Sequence, residues 1–193
     1  MEAVTLTEAD AAIHAVKYGG RTVRAGVTTV RDFGGDATVA LDEAVERGDV
    51  VAPRIVPSGN ALGITDGHCD VTGFAPGVAE GGPAEGVADG PWEVVEAVRY
   101  QIKHGAQVIK TCATAGVLSM EGPVGAQQYT REELQAMVDE ASRHGVKVAA
   151  HAHGSEGILA ALRAGVQRAI EAGVPIAFGT DAGVFPHGQN AGE

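Results

Sequence analysis

Three apolar runs in this chain each end on a residue able to do chemistry. AQVIK closes at Lys110, VKVAAHAH carries His151 and His153, and VPIAFGTD closes at Asp181. A lysine at such a place is unusual, because burying an ammonium is costly unless it is neutralised or paired. Taken alone, it reads as a residue solvated just past the end of a strand. His151 and His153 share one side of a strand by its period of two. An HxH pair so placed can present both imidazoles to one metal or to a substrate, whereas a single such histidine is more often a core or surface residue. Asp181 alone reads equally well as a turn or N-cap aspartate. His68 in DGHCD and His187 in FPHGQN fall in loops and say little singly. Jointly, lysine, imidazole and carboxylate at the ends of successive strands are the donor types from which a metal-hydrolase site is assembled.

The elements that must position these groups follow from local signals. Thr7 and Asp10 form a capping box opening a helix through Arg24, with Gly26 beyond its end. VTTVRD (27–32) is short and β-branched and reads as a strand. A helix over 37–47 closes at Gly48 and leads to the strand PRIVPSG (53–59). Residues 59–90 hold nine glycines without a clear period, a long loop of the kind that is often functional. Pro91 opens a helix that stops at Gly105, followed by the strand AQVIKTC (106–112). Thr130 and Glu133 form a second capping box, and that helix ends at His144–Gly145. VKVAAHAH (146–153), a helix from Ser155 to Gly165 and VPIAFGTD (174–181) complete the chain of five strands. Strands alternating with helices of this size imply βαβ units and a parallel sheet.

One spacing breaks the alternation. The phrase AGV recurs at Ala164–Val166 and Ala172–Val174, eight residues apart. A parallel crossover needs about a dozen residues in addition to its strands. Either Gly165 lies inside one helix, at a cost near 1 kcal/mol relative to alanine, or a strand-bearing segment is absent. The spacing favours the second, with a junction near 166–167.

Composition narrows the function classes. The chain has 193 residues, enough for one domain, and a formal net charge of −11. No basic stripe is available for a phosphate backbone, so a nucleic-acid partner is not expected. Cys69 and Cys112 are far apart without a CxxC spacing, so a disulfide is not expected and a reduced setting is. MEAVTLTEADAAIHAV is acidic and lacks the pattern of a secretory signal. No apolar run approaches the roughly 18 residues of a membrane span. The expectation is a soluble, cytoplasmic protein.

VRAGVTTVRDFGG, the GH within TDGHCD, QVIKTCATAGV, VAAHAHG and AGVPIAFGTDAGVFPHGQN, in that order, resemble the amidohydrolase superfamily. The branch is similar to the imidazolonepropionase-related and Xaa-Pro dipeptidase-like enzymes. The resemblance implies a (β/α)8 barrel, a TIM-type fold, holding one or two divalent metals, usually zinc, at the strand C-termini. By it, Lys110 corresponds to the strand-four lysine that is carboxylated to bridge two metals. Carbamate formation requires a neutral amine, which an apolar strand favours. His151 corresponds to the strand-five metal ligand. Asp181 corresponds to the strand-eight aspartate, a metal ligand and the general base, then acid. His68 and His153 correspond to pocket residues that contact substrate. The implied activity is hydrolysis of a C–N bond in a small amide, dipeptide or cyclic amide by metal-activated hydroxide.

Strand one with its HxH pair, strands six and seven with the strand-six histidine, and the final helix have no counterpart here. The expected fold is therefore an incomplete barrel of about five parallel strands over residues 1–193. Open sheet edges invite a homo-oligomer or pairing with another chain, and the competing reading is a catalytically silent fragment that persists in that way. A phosphate-binding α/β module is weaker, because the TAG and TDAG turns lack Walker or Rossmann glycine spacing.

Overall fold

The capping box foreseen at Thr7 opens α1 (Glu8–Arg24): the Thr7 hydroxyl accepts from the Asp10 N–H at 3.2 Å and the Asp10 carboxylate accepts from the Thr7 N–H at 3.0 Å. The computed structural model describes residues 7–166 apart from Ser119. Of these, residues 7–59 belong to one compact unit and residues 60–166 to a second.

In the first unit α1 is followed by β1 (Thr29–Asp32), α2 (Asp36–Glu46) and β2 (Arg54–Pro57). The strands pair in parallel, with Thr29 opposite Arg54 and Asp32 opposite Pro57. Gly26 adopts φ +94°, the left-handed conformation that lets the chain leave α1 for β1. Ile55 on β2 and Val39 and Leu41 on α2 are the buried apolar side chains of this βαβ unit.

The second unit runs α3 (Gly90–Lys103), β3 (Val108–Cys112), α4 (Arg131–Arg143), β4 (Lys147–His151) and α5 (Gly154–Ala161). β3 and β4 are parallel and in register from Val108 opposite Lys147 to Cys112 opposite His151. Leu62 extends this sheet on the other side of β3: its N–H donates to the Lys110 carbonyl at 2.8 Å and its carbonyl accepts from the Cys112 N–H at 2.9 Å. Pro91 lies in the first turn of α3, and Thr130 and Glu133 form the expected capping box on α4. Ile109, Leu62, Val94, Val98, Leu134 and Met137 meet in one core cluster. Each such side chain contributes about 1.5–3 kcal/mol by leaving water.

The two small parallel sheets account for the first four strands expected; the fifth, VPIAFGTD, lies outside the described residues. The helix expected to reach Gly165 instead leaves α geometry at Ala161 and continues as a π-helical turn over Leu162–Val166. Such single turns occur as bulges within α-helices. The proposed junction at 166–167 runs out of the described residues. No helix among the described residues is long and apolar enough to cross a membrane.

The cysteines require a correction. Cys69 and Cys112, unpaired by the sequence reading, form a disulfide with Cα atoms 5.9 Å apart, within the range the bond tolerates. Their separation of 43 residues hid the contact, because the long loop doubles back onto the end of β3. The argument from cysteine spacing for a reduced setting falls with it.

Two buried polar groups on the helix side of the second unit are treated oppositely. Glu140 on α4 is 2% exposed, yet it accepts from Arg99 Nε at 2.6 Å and Arg143 Nη1 at 2.7 Å, with His144 Nε2 at 3.3 Å. The hydrogen bond from Arg99, above all, holds its carboxyl down to about 2. Tyr129 is 1% exposed, and its hydroxyl has no hydrogen-bond partner among the described residues. Burial, reinforced by the charges of Glu133 and Asp89, pushes its ionisation well up.

Because Glu140 ionises far below the ordinary value of 4.5, its stabilisation is complete above that value and is lost as pH falls toward about 2. Glu140→Gln is expected to lower the unfolding free energy at pH 7 by about 1–3 kcal/mol, measured by urea denaturation. The gap from the parent should narrow steadily between pH 4.5 and the folded-state value of about 2. Tyr129→Phe removes an unpartnered hydroxyl and is expected to leave stability unchanged or raise it. A loss above about 1 kcal/mol in the same assay would count against that account.

Candidate functional site

The pleat of β3 separates two kinds of residue. Ile109 faces the helix-packed core, while Val108, Lys110 and Cys112 alternate onto the opposite face. Register carries that face across to β4, placing Lys110 opposite Ala149 and Cys112 opposite His151. Lys110 therefore stands two residues behind His151 on one face, a step of about 6–7 Å along the strands. Both are half-buried. Asp181 lies outside the described residues.

Three imidazoles gather at the C-terminal end of this strand pair. The His68 and His151 rings have centroids 4.5 Å apart at 39°, and the His151 and His153 rings 4.7 Å apart at 72°. Each arrives by a different route. His151 ends β4. His153 caps α5 in extended conformation, its N–H donating to the buried Thr114 hydroxyl at 2.9 Å. His68 comes from the long loop, where its N–H donates to Gln128 Oε1 at 3.1 Å and the adjacent Cys69 is bonded to Cys112.

The loop after β3 closes over this cluster. Ala113 N–H donates to the His151 carbonyl at 3.0 Å, and Ala115 and Ala126 pair across a turn at 2.9 Å. A Cβ at Gly116 would lie 2.6 Å from the His68 ring and 3.0 Å from His151 Nε2. The glycine of ATAG is thus what lets the backbone run along both imidazoles. Gly125 and Gly154, both with positive φ, approach so closely that a Cβ on either would come within 3.3 Å of the other's backbone. Val117, Leu118 and Met120 are exposed along the outer part of this loop.

Of the residues singled out from sequence, the structure brings His68, His151 and His153 into contact and puts Lys110 on the same sheet face as His151. It adds Gly116, Thr114, Gln128 and the Cys69–Cys112 bond, which sequence reasoning missed. The glycine after TA at the end of an apolar strand was the available signal for Gly116. Nothing in the spacing signalled the others.

Among the described residues no three His, Cys, Asp or Glu side chains are arranged to hold a metal ion. The three imidazoles meet tilted and edge-on, with Nε2 of His68 and of His151 both directed to the backbone at Gly116. The implied set of Lys110, His151 and Asp181 is represented there only in part, since Asp181 lies outside the described residues. Lys110 and His151 are the two donors of the implied set that lie on one described face.

The family model for the amidohydrolase family matches residues 1–177. Ochratoxinase from Aspergillus niger is 37% identical over 174 residues, covering 80% of this chain and 36% of its own length. The chain therefore spans little more than a third of that curated relative. A solved Xaa-Pro dipeptidase with bound methionine in its active site is 40% identical with a TM-score of 0.77, over 80% of this chain and 39% of that one. A solved prolidase complexed with N-methylphosphonate-L-proline is 32% identical with a TM-score of 0.75, over 97% of this chain and 53% of that one. Carrying the family's pattern over residues 1–177 and sharing its fold with these solved relatives, the chain belongs to the amidohydrolase family, whose members are generally metal-dependent.

Proposed function

We propose that the protein hydrolyses an amide-type C–N bond in a small substrate, a dipeptide or an N-acyl amino acid. The observation that supports this most is the gathering of His68, His151 and His153 where β3 and β4 end, on the face that also carries Lys110. Strand C-termini are where parallel α/β folds keep their chemistry. The relatives are an ochratoxinase and enzymes of the Xaa-Pro dipeptidase kind, which points to peptide-like amides as the substrate class.

In this reading Lys110, as a carbamate, and His151 together with Asp181 would hold a divalent ion, zinc in the first instance. Such an ion supplies Lewis acidity to the site when bound. Asp181 takes the proton from the attacking water and returns it to the leaving nitrogen. His68 and His153 flank the position of the substrate and contact it. The loop over residues 59–90, which brings in His68, is where substrate specificity resides.

A second reading, a silent partial barrel that associates with itself or another chain, is favoured by the exposure of Ile13 and Val16 on α1 and Trp92 on α3. Exposed apolar side chains in such number suit contact with another surface.

With zinc or manganese supplied, Xaa-Pro dipeptides and N-acyl amino acids are the substrates to assay. Asp181→Asn is expected to reduce kcat about 10²–10⁴-fold, the range for losing a positioned acid–base group, and Lys110→Ala to abolish turnover. Persistence of activity in both variants would refute the assigned roles. Absence of turnover by the parent chain, with a dimer or larger species by light scattering, would favour the second reading.

A further inference from the structure

We propose that the Cys69–Cys112 disulfide is a redox-sensitive tether that holds His68 against His151, so that its state decides whether the histidine cluster is assembled. The inference goes beyond the hydrolase reading and does not depend on it. Cys69 is the chain neighbour of His68, and Cys112 is the register partner of His151. The bond therefore joins the two histidine-bearing segments one residue from one ring and directly across the sheet from the other. Cys69 and Cys112 thus act as positioning residues, through the 4.5 Å contact between His68 and His151.

The surrounding loop shows why a tether is needed there. Residues 73–80 are all exposed, and the hydrogen bonds they make are to one another, as from Val78 N–H to the Ala75 carbonyl and from Gly77 N–H to Glu80 Oε1. Besides the disulfide, the bonds from residues 66–80 to the β3–β4 side include His68 N–H on Gln128 Oε1 and Thr72 Oγ1 on Glu121 Oε1. Gly63 makes room for the bond, since a Cβ there would lie 2.8 Å from Cys69 Cβ. Removing the link restores the closure entropy of a long loop and releases Cys69, the chain neighbour of His68, from β3.

The two cysteines are unequally exposed. Cys69 is half-buried and Cys112 is 3% exposed. A dithiol reductant attacks Cys69 Sγ as the thiolate, and Cys112 leaves as a thiolate that takes up a proton. The reductant's second thiol then breaks the mixed disulfide and releases Cys69. Two electrons and two protons pass to the pair, and the dithiol becomes a cyclic disulfide.

The test uses the whole 193-residue chain purified in air. A tryptic map without reductant is expected to show peptides 55–99 and 111–131 joined. On adding dithiothreitol, the imidazole nitrogen resonances of His68 and His151 should shift together. Cleavage by a glutamate-specific protease within residues 71–85 should speed several-fold, while the helical circular dichroism stays unchanged. Reoxidation should reverse both effects, and Cys69→Ser should behave as the reduced parent. Separate peptides in the unreduced map would overturn the proposal, as would unchanged resonances and cleavage on reduction. Loss of helical signal on reduction would also overturn it, because the bond would then be a staple of the whole fold. None of these readouts requires turnover, so failure here is distinct from failure of the hydrolase reading.

Discussion

The register of β3 against β4 is the constraint on which the rest of the site depends. Pairing Cys112 with His151 fixes at once which face carries chemistry and which face packs. One residue of slip would turn Lys110 and Cys112 toward the helices and Ile109 onto the face of the histidines, since side chains alternate with a period of two. The core guards against that slip. Ile109 is wholly buried among Val94, Val98, Leu134 and Met137, and removing it from them would forfeit its share of the apolar packing that holds α3 and α4 on the sheet. Apolar packing on one face thus sets the address of polar groups on the other.

A second constraint is closeness. Gly116 against two imidazoles and Gly125 against Gly154 are contacts that no side chain could share. These glycines bring the loop after β3 down on the cluster, and Thr114 beneath it supplies the hydroxyl that seats the His153 backbone. Glu140 shows the same economy on the far side. One buried carboxylate receives Arg99 from α3 and Arg143 from its own helix, so a single ion-pair group joins the two helices that cover the sheet. Tyr129 is the contrast: its ring fills the core, and its hydroxyl is carried there without a partner among the described residues.

What the sequence made legible was local. Thr7 with Asp10 and Thr130 with Glu133 are capping boxes because donor and acceptor lie three residues apart, and such spacing is visible without a fold. The strands ending near Lys110 and His151 were visible for a similar reason, in short β-branched runs bounded by glycine. The contact of His68 with His151, the bond from Cys69 to Cys112 and the seat of His153 on Thr114 join residues tens of positions apart. No period or spacing encodes them; they exist only once the long loop returns to the end of β3. The π-helical turn after α5 was likewise hidden, because Leu162–Val166 reads as ordinary helix residue by residue.

The three histidines differ in how firmly the fold holds them, and the difference explains where the covalent bond sits. His151 is fixed by a strand laddered to β3, so moving it means breaking the sheet. His153 is fixed by a helix terminus and a hydrogen bond to a buried hydroxyl. His68 belongs to a loop with little regular structure, the kind of segment that opens locally at low free-energy cost. Left to hydrogen bonds alone, the cluster would be only as ordered as its loosest member. The chain's two cysteines are both spent on that member, one beside His68 and one on the strand that faces His151. The order of a cluster built from strand, helix cap and loop is therefore governed by the state of a single bond.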